Sequence, residues 1–149
     1  MATETSPATI EGRARELIEA PNFCYISTLN PDGSPHAALV WIDLDGDHLI
    51  LNSADGRIWP RNLRADQRCR LLIANRKDQY ELVSIKARLA EETTEGADDQ
   101  IEKMARKYLD DETYPAHVPG IRGEDMVRVT FRFSADRVVY RPGPGPRVD

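Results

Sequence analysis

Apolar residues recur along this chain with two different periods. Between positions 10 and 18 they return at Ile10, Ala14, Leu17 and Ile18, the spacing of one helical face. Ser6 and Pro7 are placed to cap and begin that helix, and Pro21-Asn22 to end it. The period then falls to two. Residues 23–29, FCYISTL, have the aromatic and β-branched content of a strand, and NPDGS at 30–34 is a turn. Residues 35–43, PHAALVWID, predict a second strand, apolar on both faces and so expected to be buried on both. Asp45-Gly46-Asp47 then turns the chain into a third strand at 48–53, and the three should form an antiparallel meander.

A loop at 54–56 leads into a short helix ending near Asp66. Pro60 fits only its first turn, because an interior proline removes a hydrogen bond and clashes with the turn before it. The helix should therefore begin between Ile58 and Pro60. Residues 68–74, RCRLLIA, predict a fourth strand, and 75–79 a polar loop. From Tyr80 to about Glu91, Val83, Ile85, Ala87 and Leu89 alternate with Ser84, Lys86, Arg88 and Ala90. That is a fifth strand with one core face and one face that is wet or lines a groove. A second long helix is expected over 94–109, with Ala97, Ile101, Ala105 and Tyr108 buried, acids at its start and bases at its end. Residues 110–124 predict a loop long enough for a functional role. Val127, Val129, Phe131 and Phe133 mark the last strand, and 138–140 a short extension of it. The order predicts an α+β, mainly β fold: a small antiparallel barrel with two or three peripheral helices. It would occupy 1–141 as a single domain and leave 142–149 as an extended or disordered tail.

Charge changes this picture at one place. The chain of 149 residues has a formal net charge of -5, which argues against a general nucleic-acid binder. No apolar run approaches the roughly 20 residues of a membrane helix. The N-terminus lacks the basic and apolar blocks of a signal peptide, and a cytoplasmic protein is the expectation. His36, His48 and His117 show no ligand pairing, so no metal site is expected. Cys24 and Cys69, both in apolar runs, are expected to be buried thiols. Against this acidic background the segment 56–70, GRIWPRNLRADQRCR, holds five arginines and one acid. Arg57, Arg61 and Arg64 lie at the spacing of one helical face, just where a helix begins. Free N–H groups and guanidiniums together make an anion site, with Asn52 and Ser53 as added donors. The alternative is a solvated helix whose arginines pair with nearby acids. In the preceding strand, Pro35, His36, Val40 and Trp41 could lie against a flat ring, or be an edge histidine and a core tryptophan. His36 has the pKa range of a proton donor. No nucleophile or nucleotide-loop motif is present, so a cofactor would have to carry any chemistry.

Three stretches together, FCYISTLNPDGSPH, VWIDLDGD and NSADGRIWPRNLRAD, resemble the split-β-barrel flavin and deazaflavin oxidoreductases related to pyridoxamine 5′-phosphate oxidase. Within that family the resemblance is to the branch that uses the deazaflavin coenzyme F-420. It covers about residues 12–140. It implies a homodimer with two equivalent cofactor sites at the interface and no nucleic-acid or membrane partner. It also implies a reductase delivering a hydride to a small conjugated or unsaturated organic substrate. The ring would lie along Pro35, His36, Val40 and Trp41, and the phosphate would meet Ser53, Arg57, Arg61 and Asn62, with Asn52 beside them. A proton would follow from solvent or from a side chain such as His36. The partner's 75–80 or 110–124 loop would close the site. One position departs from the pattern. Many deazaflavin-binding relatives read G-R-x-K-x-R-N-L-R, with the lysine on the cofactor phosphate; here that position is Trp59, followed by Pro60. Trp59 could stack on a ring or seal the pocket. Two alternatives stay open: an FMN-dependent enzyme of pyridoxamine-phosphate-oxidase type, and a non-catalytic binder of a flavin-like or tetrapyrrole ligand.

Overall fold

Strands and helices alternate in the order the hydrophobic periods predict. The computed structural model describes residues 7–110 and 126–143. Its elements are α1 (Gly12–Glu19), β1 (Cys24–Leu29), β2 (Pro35–Val40), β3 (Asp43–Asp45), β4 (His48–Ala54), α2 (Ile58–Ala65), β5 (Arg68–Asn75), β6 (Asp78–Thr93), α3 (Ala97–Tyr108) and β7 (Arg128–Arg141). The strands form one antiparallel sheet in the order β2-β1-β5-β6-β7-β4-β3. Its two ends are tied by the chain itself. Only Trp41 and Ile42 separate β2 from β3, so Val40 and Asp43 lie no more than about 11 Å apart. A seven-stranded sheet whose edges are held that close must curl into a barrel, and this is the split barrel the sequence predicts. Ile26, Leu49, Leu51, Leu71, Ile73, Val83, Ile85, Phe131 and Phe133 fill its interior. Both Cys24 and Cys69 are buried free thiols in that interior. Among the described residues no helix is long and apolar enough to cross a membrane.

The structure corrects three local expectations. Residues 35–43 are not one strand. The chain leaves β1's side at Val40, buries Ile42 completely, and starts β3 at the opposite end of the sheet, so the expected meander is broken between β2 and β4. Nor is β2 buried on both faces. It pairs only with β1, its outward residues Pro35, Ala37 and Leu39 are exposed, and His36, Ala38 and Val40 are half-buried. Apolar content on an edge strand implies a covering that the described residues do not supply. Finally, α1 starts at Gly12 and not near Ser6. The Ile10 N–H donates to Asp47 Oδ1 at 3.0 Å and the Ala8 N–H to the Ala135 carbonyl at 2.7 Å, which holds this stretch extended beside the sheet. Ser6, the expected 110–124 loop from residue 111 onward, and the tail from 144 lie outside the described residues. The expected 75–79 loop is a tight turn between β5 and β6.

Glu81 ties three elements together. Its carboxylate accepts from Arg13 Nε and Nη2 at 2.9 and 2.7 Å, from Asn75 Nδ2 at 2.8 Å and from Tyr140 Oη at 2.6 Å. The Arg13 guanidinium, then the Tyr140 hydroxyl and the Asn75 amide, hold the Glu81 carboxyl down to about 2. A depressed carboxylate contributes stability above its unfolded pKa and loses it as pH falls through the folded one. The melting temperature of the wild type should therefore fall faster than that of Glu81→Gln between about pH 4.5 and pH 2. Parallel curves in a pH series of thermal melts would contradict this assignment.

Candidate functional site

Helix α2 opens onto a cleft. Gly56 has φ +90°, a left-handed conformation that lets the chain turn sharply out of β4, and Arg57 then caps the helix with extended backbone. No side chain caps the helix, and its first turn holds no acid. Pro60 sits where a helix has no N–H to lose, so it costs nothing there. The residue that anchors this end is Trp59, 4% exposed, with its ring edge-to-face on Phe131 at 4.9 Å. Burying that indole fixes the helix N-terminus, which is left facing outward over the end of β4.

The cleft has a volume of about 520 Å³. One wall is β2, through His36, Ala38 and Val40. The opposite wall is α3, through Ile101 and Met104, and Trp59 forms the floor. A ring stack holds α3 in place. Tyr108 lies between Phe23 (5.6 Å, 18°) and Trp41 (5.4 Å, 6°), and its hydroxyl donates to the Asn22 carbonyl at 2.7 Å. Lys107 Nζ donates to the carbonyls of Ile18 and Ile42 at 2.6 and 2.7 Å. Phe23 and Trp41 themselves line the cleft, so the stack that docks α3 is also part of its apolar wall.

The other end of the cleft is cationic and polar. Arg57 and Arg128 both line it. Burial pushes the Arg128 guanidinium below its ordinary pKa, the Arg57 charge pushes the same way, and Asp98 opposes them. Beside them Ser53 is 1% exposed and its Oγ has no hydrogen-bond partner among the described residues. Asn52 donates through Nδ2 to the Ala97 carbonyl at 2.8 Å, while its Oδ1 is buried without a partner. Leaving a buried hydroxyl unsatisfied costs on the order of 1–3 kcal/mol, so it marks a place prepared for a ligand atom. Two guanidiniums, a hydroxyl with no partner among the described residues and the first turn of a helix line one cleft, and these are the donors a phosphate or carboxylate needs. Among the described residues no group of side chains could hold a metal ion.

The structure gathers His36, Val40, Trp41, Asn52, Ser53, Arg57 and Trp59 into this one cleft. It places Arg61 and Asn62 elsewhere, in a separate cavity with Asn30, Pro31 and Gly33 of the β1–β2 turn. There Asn62 Nδ2 donates to Thr28 Oγ1 at 3.1 Å and Asn30 Oδ1 at 3.0 Å, bracing that turn. Pro35 points outward, away from the cleft. Arg64 follows the solvated-helix alternative, paired with Asp55 at 3.1 Å and Glu92 at 3.0 Å. Of the arginine stripe, only Arg57 reaches the cleft. The residues that sequence reasoning missed are Arg128, Ile101 and Met104. Arg128 alternates with the apolar positions of the last strand and carries no local signal of a site; the register that sets Ala54 opposite Arg128 brings it in.

Comparison with known proteins agrees with this fold. A family model described as pyridoxamine 5′-phosphate oxidase matches residues 10–133. Among solved structures, an F-420 reductase superposes with a TM-score of 0.74 at 18% identity, over 87% of this chain and 98% of that one. A conserved hypothetical protein from Mycobacterium tuberculosis gives 0.61 at 21% identity, over 93% and 89%. A candidate pyridoxamine 5′-phosphate oxidase from Listeria innocua gives 0.60 at 16% identity, over 85% and 93%. At these identities the likeness is one of fold. A search of curated proteins gives no match.

Proposed function

The chain belongs to the pyridoxamine 5′-phosphate oxidase family, and from that premise we propose that its cleft binds a phosphate-bearing ring cofactor, the deazaflavin coenzyme F-420, and that the protein is a reductase of small unsaturated organic molecules. The observation that carries this reading is the union of two unlike halves in one cleft. The apolar slot between β2 and α3 suits a planar ring. The polar end offers Arg57, Arg128 and the unsatisfied Ser53 Oγ to an anion. The residues present therefore fit the group, even with Trp59 where many deazaflavin-binding relatives carry a lysine. Arg128 supplies a second cation from β7, so the cationic end does not depend on position 59.

In this reading Arg57, Ser53 and the first N–H groups of α2 hold the phosphate, and Arg128 neutralises it from behind. His36, Ala38 and Val40 support one face of the ring, and Met104 and Ile101 exclude water from the other side. The bound cofactor would supply the hydride. The protein's part is to hold two planes at reacting distance. His36 is half-buried on the cleft wall, where its imidazole would be the side chain nearest to serve as proton donor to the product. The protein acts as a homodimer, the form typical of the family, with the second copy seated on the exposed apolar face of β2, β1 and β5 at the rim of the cleft.

Fluorescence titration of the purified protein with coenzyme F-420, and separately with FMN, tests the reading. Saturable micromolar binding of the deazaflavin is expected. Arg57→Gln should weaken it about tenfold to a hundredfold, the worth of one charge-assisted bond to phosphate. Ser53→Ala should weaken it while leaving the free protein as stable or more so, because the variant removes an unsatisfied hydroxyl. Tighter binding of FMN would move the assignment to a flavin enzyme. Binding without turnover of any acceptor would make the protein a carrier. No saturable binding of either would end the proposal.

A further inference from the structure

Outside the cleft, a row of cations lies on the outer face of the sheet. Arg70 of β5, Lys86 of β6 and Arg137 of β7 stand directly opposite one another across three adjacent strands. Arg141 follows on β7, on the same side as Arg137. With Ser84 and Val139 these four cations line a cavity of about 240 Å³, and no carboxylate of a described residue lines it. None of the four has a hydrogen bond or ion pair with a described residue. Yet the chain is acidic overall, and several of its other cations take acids: Arg13 pairs with Glu81, Arg64 with Glu92 and Arg132 with Asp45. Like charges placed directly opposite on a sheet repel and destabilise the pairing. A row of them kept together without counter-charge among the described residues is what an anionic ligand would offset.

We propose that this cavity is a second binding site, separate from the cleft, for a compact multiply charged anion of phosphate chemistry, either free phosphate or the phosphate end of a small phosphorylated metabolite. Guanidiniums of Arg70, Arg137 and Arg141 can each engage phosphate oxygens in pairs, Lys86 adds a point charge at the centre of the row, and Ser84 adds a hydroxyl. The size of the cavity selects a small anion. The negative charge of the rest of the chain disfavours an extended polyanion.

The test is calorimetric titration of the full protein with inorganic phosphate and with pyrophosphate, against chloride at matched ionic strength. Lys86→Gln and the double variant Lys86→Gln/Arg137→Gln are titrated in parallel. Saturable binding is expected, weakened about tenfold in the single and about a hundredfold in the double variant. Without anion, both variants should melt at or above the wild-type temperature, because repulsion has been removed; a merely structural role would lower it. Titration of the cleft with coenzyme F-420 or FMN should be unaffected, which separates this proposal from that of the cleft. A gain with pyrophosphate over phosphate points to an esterified or condensed ligand, and equality to free phosphate. The proposal is overturned if phosphate affinity is the same in all three proteins. It is also overturned if the variants alter only the oligomeric state, which would make the row a contact between subunits.

Discussion

Trp59→Lys, which would restore the basic residue of deazaflavin-binding relatives, is expected to destabilise the protein by about 3–5 kcal/mol and to leave cofactor binding no tighter. The sequence invites the opposite result, because a lysine in the G-R-x-K-x-R-N-L-R pattern contacts the phosphate. In this fold, however, position 59 points inward. The indole is 4% exposed, packs edge-to-face on Phe131 and belongs to the same buried cluster as Ile26, Leu63 and Phe133. Removing a large buried aromatic forfeits its transfer free energy and leaves a cavity beneath the α2 terminus. A lysine can fill part of that space with its methylenes and reach for solvent with its ammonium, but it cannot replace the ring contact. The same displacement would shift the N–H groups and Arg57 that face the anion. Trp59→Phe keeps an aromatic on Phe131 and should retain most of the stability and bind the cofactor within a few-fold of wild type. Urea unfolding followed by far-ultraviolet circular dichroism measures the first effect, and fluorescence titration the second. A Trp59→Lys protein that loses less than about 1 kcal/mol and binds more tightly would show that position 59 is a ligand position after all.

How legible this was in the sequence can be judged residue by residue. Alternation is a local property, so Val83, Ile85 and Ala87, or Phe131 and Phe133, could be assigned to the barrel interior from their own neighbours. A helix start between Ile58 and Pro60 followed from Pro60 alone, and the helix begins at Ile58. What escaped was long-range. Nothing in PHAALVWID tells that the chain crosses from one end of the sheet to the other at Trp41-Ile42, because the reason is closure of the barrel and not local propensity. Arg128 entered the cleft through its register opposite Ala54, and Met104 through the docking of α3 by Tyr108 and Lys107. The arginine stripe was legible as a stripe but not as a site. Its three members share a helix face by spacing, yet Arg64 finds Glu92 from a distant strand, and Arg61 faces the β1–β2 turn. One face of a helix of eight residues can serve three environments, and the periodicity of a sequence does not distinguish them.

Tyr25→Asp together with Leu39→Asp is expected to convert a dimer into a monomer and to abolish cofactor binding in the same step. Leu39 is 56% exposed and Tyr25 50%, and they are direct cross-strand partners; Leu72, opposite Tyr25 on the other side, extends the row to β5. Three large apolar residues in register on an open sheet face form the kind of patch that marks a protein contact. The patch borders β2, the edge strand of the sheet, and Leu39 lies on the rim of the cleft as well as in the row. A second copy seated on the row would therefore also cover the cleft mouth, so one pair of substitutions should remove both assembly and binding. The expected magnitude follows from desolvation. Each carboxylate buried without a partner costs at least about 2 kcal/mol, and the two-fold repeat doubles the number buried, so dimer affinity should fall at least a thousandfold. The protomer itself should survive, because both side chains are largely outside its core. Sedimentation equilibrium would follow the change from twice 16.8 kDa to 16.8 kDa, and unfolding of the variant would confirm that it remains folded. A wild type that sediments as a monomer, or a double variant that stays dimeric, would reject this face. A monomeric variant that still binds the cofactor with full affinity would keep the face but place the whole site within one chain.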